Sequence, residues 1–311
     1  MNFTRRTALV ASFWHCLGLR VLSQITNTYG QASADGYIDA HVHLWTEDLD
    51  RYPLAAGFAK DQMRPPTFMP DELLALSKPL GVSRIVLIQM SFYGFDNSYM
   101  LDCMQKYPGV FSGIAQVDEH GANPAAEMRR LKGLGVRGVR IFPPRRGAHG
   151  WLDGPGMRAM WTTAAAERMA MCPLIDADDL PAIDHICRAF PDTPVVIDHC
   201  ARIGGDGQFH EPDVRKLCDL AKHRHTYVKL SAFYHLGAKR PPYADLLPMI
   251  RRLVDAFGPK RLMWATDSPF QLQPPHSYRA SLELIRDRLD FVSPSERQWI
   301  LGRTAASLFF T

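Results

Sequence analysis

Residues 37–45 read Tyr37-Ile38-Asp39-Ala40-His41-Val42-His43-Leu44-Trp45, and the fold prediction starts from them. It places two imidazoles at i and i+2 of an apolar run, and on a β-strand such positions share one face. In the first strand of a barrel, alternation would send Asp39, His41 and His43 inward and the even-numbered residues from Ile38 to Leu44 outward against helices. The two histidines would then begin an active site at the barrel mouth. The alternative is a pair of histidines held by hydrogen bonds in a core.

Short apolar runs typical of strands recur along the rest of the chain, separated by amphipathic stretches typical of helices. The predicted strands cover approximately 37–42, 84–90, 111–117, 136–142, 171–176, 194–198, 226–231 and 262–266. The predicted helices cover approximately 71–80, 97–107, 122–134, 156–169, 179–190, 213–223, 244–257, 278–290 and 294–310. This alternation predicts one α/β domain over residues 35–311, a (β/α)8 TIM barrel. A doubly wound open sheet is the alternative fold, but no Gly-x-Gly-x-x-Gly motif follows a strand.

The composition excludes several classes of protein. The 311 residues are 46% apolar and 22% charged, and no apolar run is long enough to span a membrane. The formal net charge is +4, but Arg5, Arg6 and Arg20 lie in an N-terminal segment without acids, which leaves 33 basic against 32 acidic residues. We therefore expect no nucleic-acid partner. The five cysteines beyond that segment have no paired spacing, which predicts buried thiols rather than disulfides.

Residues 1–34 resemble a twin-arginine (Tat) signal peptide. Thr4-Arg5-Arg6-Thr7-Ala8-Leu9 supplies the paired arginines, residues 8–22 are modestly apolar, and Ala32-Ser33-Ala34 is a small-residue cleavage pattern. The resemblance implies export of a folded protein to the periplasm, with no membrane span left after cleavage. The alternative is an amphipathic N-terminal helix on a cytoplasmic protein.

Polar side chains gather where the predicted strands end. His41 and His43 end the first strand, Arg140 lies in the fourth, and Asp267 follows the eighth. Others in equivalent places are Ser91, Tyr93, Asn97, Arg146, His199 and Arg202. Barrel enzymes build their active sites at the carboxyl ends of strands, so we expect these residues to converge. Taken singly, each has a plainer role, such as a helix cap for Asp267.

Three motifs carry a resemblance to a known family. Residues 38–45 (IDAHVHLW), 195–199 (VVIDH) and 261–269 (RLMWATDSP) resemble the amidohydrolase superfamily, in its amidohydrolase-2 branch of TIM-barrel hydrolases and decarboxylases. The resemblance covers nearly all of residues 35–311. It implies a divalent-metal site, or a former one, whose ligands are His41, His43, His199 and Asp267. Zinc suits such a set, and the aspartate would take a proton from an attacking water.

The chain also departs from the pattern of that superfamily. Arg140 stands where two-metal members place a carbamylated lysine, and the fifth strand ends in Ile175-Asp176 without a histidine. We therefore expect at most one metal ion.

A narrower resemblance favours catalysis without a metal. Residues 89–97 (QMSFYGFDN), 135–142 (GVRGVRIF) and 198–202 (DHCAR) resemble 2-pyrone-4,6-dicarboxylate lactonases and related sugar-acid lactonases. This resemblance implies hydrolysis of an ester within a ring. The three histidines would polarise the carbonyl and Asp267 would activate water, so imidazole donors would replace the metal ion.

The arginines indicate an anionic small-molecule substrate, because a forked guanidinium matches a carboxylate in two-bond geometry. The predicted substrate contacts are Arg140, Arg146, Ser91, Tyr93, Asn97 and Arg202. The alternative is that Arg140 pairs with Asp176 and that Arg146 only solvates a loop.

Three functions remain open at this point. The first is a hydrolase that opens a carboxylate-bearing lactone. The second is a mononuclear metal enzyme, either a hydrolase or a non-oxidative decarboxylase. The third is a binding module that recognises a ligand without turnover.

Overall fold

Eight parallel strands form one sheet whose strand order follows the sequence. The computed structural model describes residues 36–145, 147–148 and 150–311, so the predicted signal segment lies outside the described residues. The strands are β1 (Tyr37–Val42), β2 (Val82–Ile88), β3 (Phe111–Ala115), β4 (Val136–Ile141), β5 (Ala170–Pro173), β6 (Val195–Ile197), β7 (Thr226–Leu230) and β8 (Leu262–Trp264). Each overlaps a predicted strand.

The first and last strands approach each other and nearly close the sheet into a barrel. An isolated parallel bridge joins Val42 of β1 to Ser268, which lies just beyond β8. The backbone N–H of Asp267 donates to the carbonyl oxygen of His41 at 2.9 Å. The arrangement agrees with the predicted TIM barrel.

Helices follow the strands and surround them. They are α1 (Pro70–Ser77), α2 (Ser98–Lys106), α3 (Pro124–Gly133), α4 (Pro155–Glu167), α5 (Leu180–Ala189), α6 (Glu211–Asp219), α7 (Leu247–Phe257), α8 (Tyr278–Arg288), α9 (Pro294–Gln298) and α10 (Thr304–Phe309). A π-helical turn, Trp299–Arg303, joins the last two. Short 3-10 turns cover Lys60–Gln62, Lys78–Leu80, Ser91–Tyr93, Ala177–Asp179, Leu220–Lys222, Phe233–His235, Ala244–Leu246, Pro259–Arg261 and Phe270–Leu272, and a left-handed turn covers Asp198–Arg202.

Local sequence signals explain where several helices begin. Proline is the first residue of α1, α3 and α9, a position where its missing N–H costs no hydrogen bond. The side chain of Asn123 accepts a hydrogen bond from the N–H of Ala126, and Ser293 caps α9 in the same way. Such caps contribute about 1 kcal/mol each.

Two apolar layers hold the barrel together. The larger layer fills the space between the strands and the surrounding helices. The smaller one lies inside the barrel, where side chains from the strands meet Ala305 and Phe309 of α10. The C-terminal helix therefore closes the end of the barrel opposite the mouth.

The alternation predicted for β1 is wrong in its first half. Asp39 and Val42 are three positions apart on β1, but their pairing partners on β2 are only two positions apart. A bulge of this kind reverses which residues face inward. Ile38 and Ala40 thus belong to the apolar layer inside the barrel, and Asp39 turns outward to accept hydrogen bonds from the N–H and hydroxyl of Thr266. Beyond the bulge the two histidines face inward, as predicted.

The structure agrees with the sequence on cysteines and on membrane spans. Cys103, Cys172, Cys187 and Cys200 are buried free thiols, and Cys218 is half-buried. Among the described residues, none of the helices has the length and apolar content needed to cross a bilayer.

Candidate active site

Two imidazoles at the end of β1 face the mouth of the barrel. The Nε2 atoms of His41 and His43 lie 3.2 Å apart. Nδ1 of His43 lies 2.9 Å from the carbonyl oxygen of Ile88, at the end of β2. Because a carbonyl only accepts, a neutral His43 carries its proton on Nδ1 and presents a bare Nε2 to the site.

Asp267 reaches the same point from the end of β8. Its φ is +68°, in the left-handed region that few residues other than glycine adopt. Oδ1 lies 3.4 Å from Nε2 of His41 and 3.3 Å from Nε2 of His43, while Oδ2 accepts a hydrogen bond of 2.7 Å from the hydroxyl of Tyr234. The strained backbone is stabilised by these contacts, a pattern common at functional sites.

A left-handed turn after β6 places the third histidine. The four consecutive residues from His199 to Arg202 have φ values between +50° and +52°, at a cost of roughly 1–2 kcal/mol per residue. Nδ1 of His199 lies 2.8 Å from Oγ of Ser231, and its Nε2 lies 3.8 Å from Oδ2 of Asp267. The turn therefore brings His199 to the site and points Arg202 to its rim.

Burial and neighbouring charges set the protonation of these groups. Burial alone would raise the pKa of Asp267, but the imidazoles of His199, His43 and His41 hold that pKa below its usual range. Burial lowers the pKa of His199 to about 4. Burial, followed by the Lys229 ammonium, also lowers the pKa of His41. At neutral pH the site therefore holds an ionised Asp267 beside the neutral rings of His41 and His199.

The spacing of three of these side chains fits a divalent cation. A tetrahedral zinc ion with bonds of about 2.0–2.1 Å separates its ligand atoms by about 3.3–3.4 Å. Nε2 of His41, Nε2 of His43 and Oδ1 of Asp267 lie 3.2, 3.3 and 3.4 Å from one another, and all three residues are buried. His41, Asp198 and His199 form a second buried group of suitable ligand atoms. The spacing of these ligand atoms is therefore suited to a divalent cation.

A cavity of about 410 Å³ opens above these groups. Its walls mix apolar and polar side chains: Met90, Ser91, Arg140, Phe142, Leu174, Arg202, Ala232, Tyr234, His235 and Phe270. Nη1 of Arg140 lies 3.4 Å from Nε2 of His43, and no carboxylate in the described part of the chain forms an ion pair with Arg140. A positive charge therefore borders the cavity directly above the imidazoles.

The predicted substrate contacts separate into two groups. Ser91, Arg140 and Arg202 line the cavity. Arg146 lies outside the described residues. The ion pair with Asp176 that the sequence left open for Arg140 is made by Arg202 instead, with Nε 2.8 Å from the carboxylate.

Tyr93 and Asn97 are not part of the cavity wall. The hydroxyl of Tyr93 accepts a hydrogen bond from the N–H of Thr46 at 3.2 Å. The amide of Asn97 donates to the carbonyl of Gln116 and accepts from its N–H. Both side chains are buried and connect loops below the mouth.

The structure adds side chains that sequence reasoning did not select. Tyr234 follows β7, and its hydroxyl donates a hydrogen bond to Asp267. Lys229, a buried charge within β7, pairs with Asp198 at 3.0 Å. Tyr234 could have been found from its position just after a strand. The pairing of Lys229 could not, because its partner Asp198 is distant in the sequence and no local sequence pattern marks the pair.

Comparison with known proteins gives concordant results. The family model of the amidohydrolases matches residues 38–311. A 4-sulfomuconolactone hydrolase from Rhizobium radiobacter is 31% identical over 245 residues, which cover 75% of this chain and 76% of the relative. A 2-pyrone-4,6-dicarboxylate hydrolase from Comamonas testosteroni is 29% identical over 255 residues, covering 75% of this chain and 77% of the relative.

A solved structure shows the same fold. An amidohydrolase from Burkholderia multivorans, crystallised with bound zinc, superposes with a TM-score of 0.74 and 21% identity. The match covers 88% of this chain and 99% of that one. The likeness therefore extends over nearly the entire barrel.

Proposed function

Because this chain belongs to the amidohydrolase family, we propose that it hydrolyses a lactone that carries a carboxylate or a similar anionic group. One observation carries the proposal: the Asp267 carboxylate lies among three imidazoles, two of which, His43 and His199, line with it a cavity bordered by Arg140. A base, a set of carbonyl-polarising groups and an anion-binding cation thus face one space.

The reaction follows from these positions. Asp267 takes a proton from a water molecule as the water oxygen attacks the ring carbonyl. The Nε2–H of His199, which lines the cavity, donates to the developing oxyanion, which preorganised donors stabilise more than the ground state. The ring C–O bond then breaks, and the departing oxygen receives the proton that the aspartate holds. One water is consumed, and the product is the open-chain hydroxy acid or its tautomer.

The same residues would serve if a metal ion binds. His41, His43 and Asp267 would hold it, with His199 beside them. A bound zinc ion would supply Lewis-acid polarisation of the carbonyl. In either case the chain's own aspartate provides the base and its arginines provide the recognition.

Arg140 and Arg202 indicate the chemistry of the substrate. Desolvated guanidinium–carboxylate pairs contribute roughly 1.5–3 kcal/mol each. Arg140 has its charge directed at the cavity, while Arg202 shares its own with Asp176. The substrates named for the two curated relatives are anionic lactones, which supports the assignment of Arg140 to an anionic substituent.

The proposal is tested by a screen with purified protein, with and without a chelator. Proton release would be followed on pyrone dicarboxylates, muconolactones and aldonolactones, and carbon dioxide release on aromatic carboxylates. We expect ring opening of an anionic lactone. Carbon dioxide release without ring opening would establish the decarboxylase instead, and binding without any turnover would establish the binding module.

We also propose that residues 1–34 direct export through the twin-arginine pathway, so that the mature enzyme works in the periplasm. The paired Arg5 and Arg6 support this assignment. Replacing both by lysine in a tagged full chain should retain the uncleaved protein in the cytoplasm. Equal periplasmic recovery of both forms, or cytoplasmic recovery of both, would contradict it.

A further inference from the structure

Lys229 is a fully buried cation inside the barrel that the proposed reaction does not use. Its ammonium lies 3.0 Å from Oδ1 of Asp198 and 3.2 Å from Nδ1 of His41. It also lies 6.0 Å above the ring of Phe309, which comes from α10. Lysine is almost never buried without a compensating role, because removal of its charge from water is costly.

The contact with His41 determines which ring nitrogen carries the proton. An ammonium group has only protons to give and no lone pair. In this contact Nδ1 of His41 can only accept, and in that arrangement the single proton of the neutral ring resides on Nε2. That nitrogen faces the bare Nε2 of His43 and Oδ1 of Asp267, both of which accept.

The competing arrangement places the His41 proton on Nδ1, where it would point to Asp198. The His41–Asp198 distance of 3.4 Å is longer than both contacts of the ammonium. The carboxylate forms an ion pair with Lys229 at 3.0 Å, and a proton on Nδ1 would confront the ammonium at 3.2 Å. The geometry favours acceptance at Nδ1.

We propose that Lys229 is a positioning residue that fixes His41 as the Nε2–H tautomer, so that His41 is a hydrogen-bond donor at the reaction centre. This inference deepens the proposed function and rests on it for the use of that donor. The donated proton faces Oδ1 of Asp267 and Nε2 of His43, so His41 orients these two groups from beneath the cavity, whose wall it does not join. The same tautomer disfavours metal binding through His41, because a ligating nitrogen needs its lone pair.

Removal of the ammonium should reverse this preference. In Lys229→Met the Nδ1 proton of His41 can donate to Asp198, which is the carboxylate–histidine pair that supports metal ligands elsewhere. Nε2 then becomes available to a cation. We expect zinc affinity to rise by about 10- to 100-fold, the range that such outer partners control. Lys229→Arg, which also only donates, should keep the original tautomer and affinity.

The test needs no substrate, so its failure is distinct from failure of the lactonase assignment. Long-range 15N–1H NMR of histidine-labelled, metal-free protein reports which nitrogen is protonated, and His41→Gln identifies the signal. The expected result is that His41 is protonated on Nε2 in the native chain and on Nδ1 in Lys229→Met. Zinc affinity is measured separately, by competition against a chromophoric chelator. A proton on Nδ1 of His41 in the native chain would overturn the proposal, and that result does not depend on the folding of any Lys229 variant.

Discussion

The hydroxyl of Tyr234 donates a 2.7 Å hydrogen bond to Oδ2 of Asp267 and leaves Oδ1 facing the two imidazoles of β1. Burial and the neighbouring Asp267 charge raise the pKa of Tyr234, so its proton stays on the phenol. The bond therefore persists across the working pH range. It orients the carboxylate, so that one oxygen is anchored and the other is available to water.

Tyr234→Phe removes this anchor without changing the volume of the cavity appreciably. We expect kcat to fall by about 10-fold and KM to change little. One hydrogen bond to a charged group contributes roughly 1.5–3 kcal/mol, and a water molecule that binds the carboxylate would restore part of that energy. Steady-state kinetics measure the split. The matched control is Tyr107→Phe, whose hydroxyl binds Asp71 at the protein surface. An unchanged kcat in Tyr234→Phe would show that the Tyr234 hydroxyl does not position Asp267 for catalysis.

Arg140→Met should weaken substrate binding more than it slows the chemical step. The loss of a charge-assisted pair predicts a KM increase of about 10- to 100-fold. Arg215→Met, on the exposed face of α6, removes a charge of the same kind far from the cavity and serves as the control. If Arg140→Met and Arg215→Met have the same KM, Arg140 does not recognise the anionic group.

The burial of Asp39 leads us to expect an unusual pH dependence of the stability of the fold. Burial raises its pKa from the ordinary 3.8 to about 6. The folded chain then holds this proton more tightly than the unfolded chain, so protonated Asp39 stabilises the fold below about pH 4. This stabilisation is lost as the pH rises through 6, and the loss is on the order of 3 kcal/mol in the free energy of unfolding. Asp39→Asn should therefore gain stability relative to the native chain between pH 4 and pH 7.

Urea unfolding at several pH values measures this difference. Asp192→Asn, an exposed carboxylate, provides the control. A stability difference between Asp39→Asn and the native chain that stays constant from pH 4 to pH 7 would contradict the assignment.

The sequence was sufficient for the architecture because the architecture is repetitive. Every strand has its own apolar run and each helix its own amphipathic stretch, so small errors at element ends do not accumulate. The interior orientation of β1 was not predictable in full. The bulge between Asp39 and Val42 depends on pairing with β2, and a strand considered alone alternates without interruption.

The site was predictable to the extent that position at a strand end determines it. His41, His43, His199 and Asp267 converge as expected, because parallel strands in a barrel direct their carboxyl ends to one mouth. Position alone does not say which way a loop side chain turns. The hydroxyl of Tyr93 meets a backbone N–H instead of the cavity, and the contact of Lys229 with His41 joins residues 188 positions apart.

The role of Asp267 as the base is tested by the rate of lactone ring opening in Asp267→Asn, compared with the native chain, on the anionic lactone that the screen identifies. An amide at this position keeps the shape and the Tyr234 contact but cannot take a proton. We predict a loss of about 10²- to 10⁴-fold in kcat with unchanged circular dichroism, the range that general-base catalysis supplies. Equal rates in the two proteins would show that Asp267 is not the base.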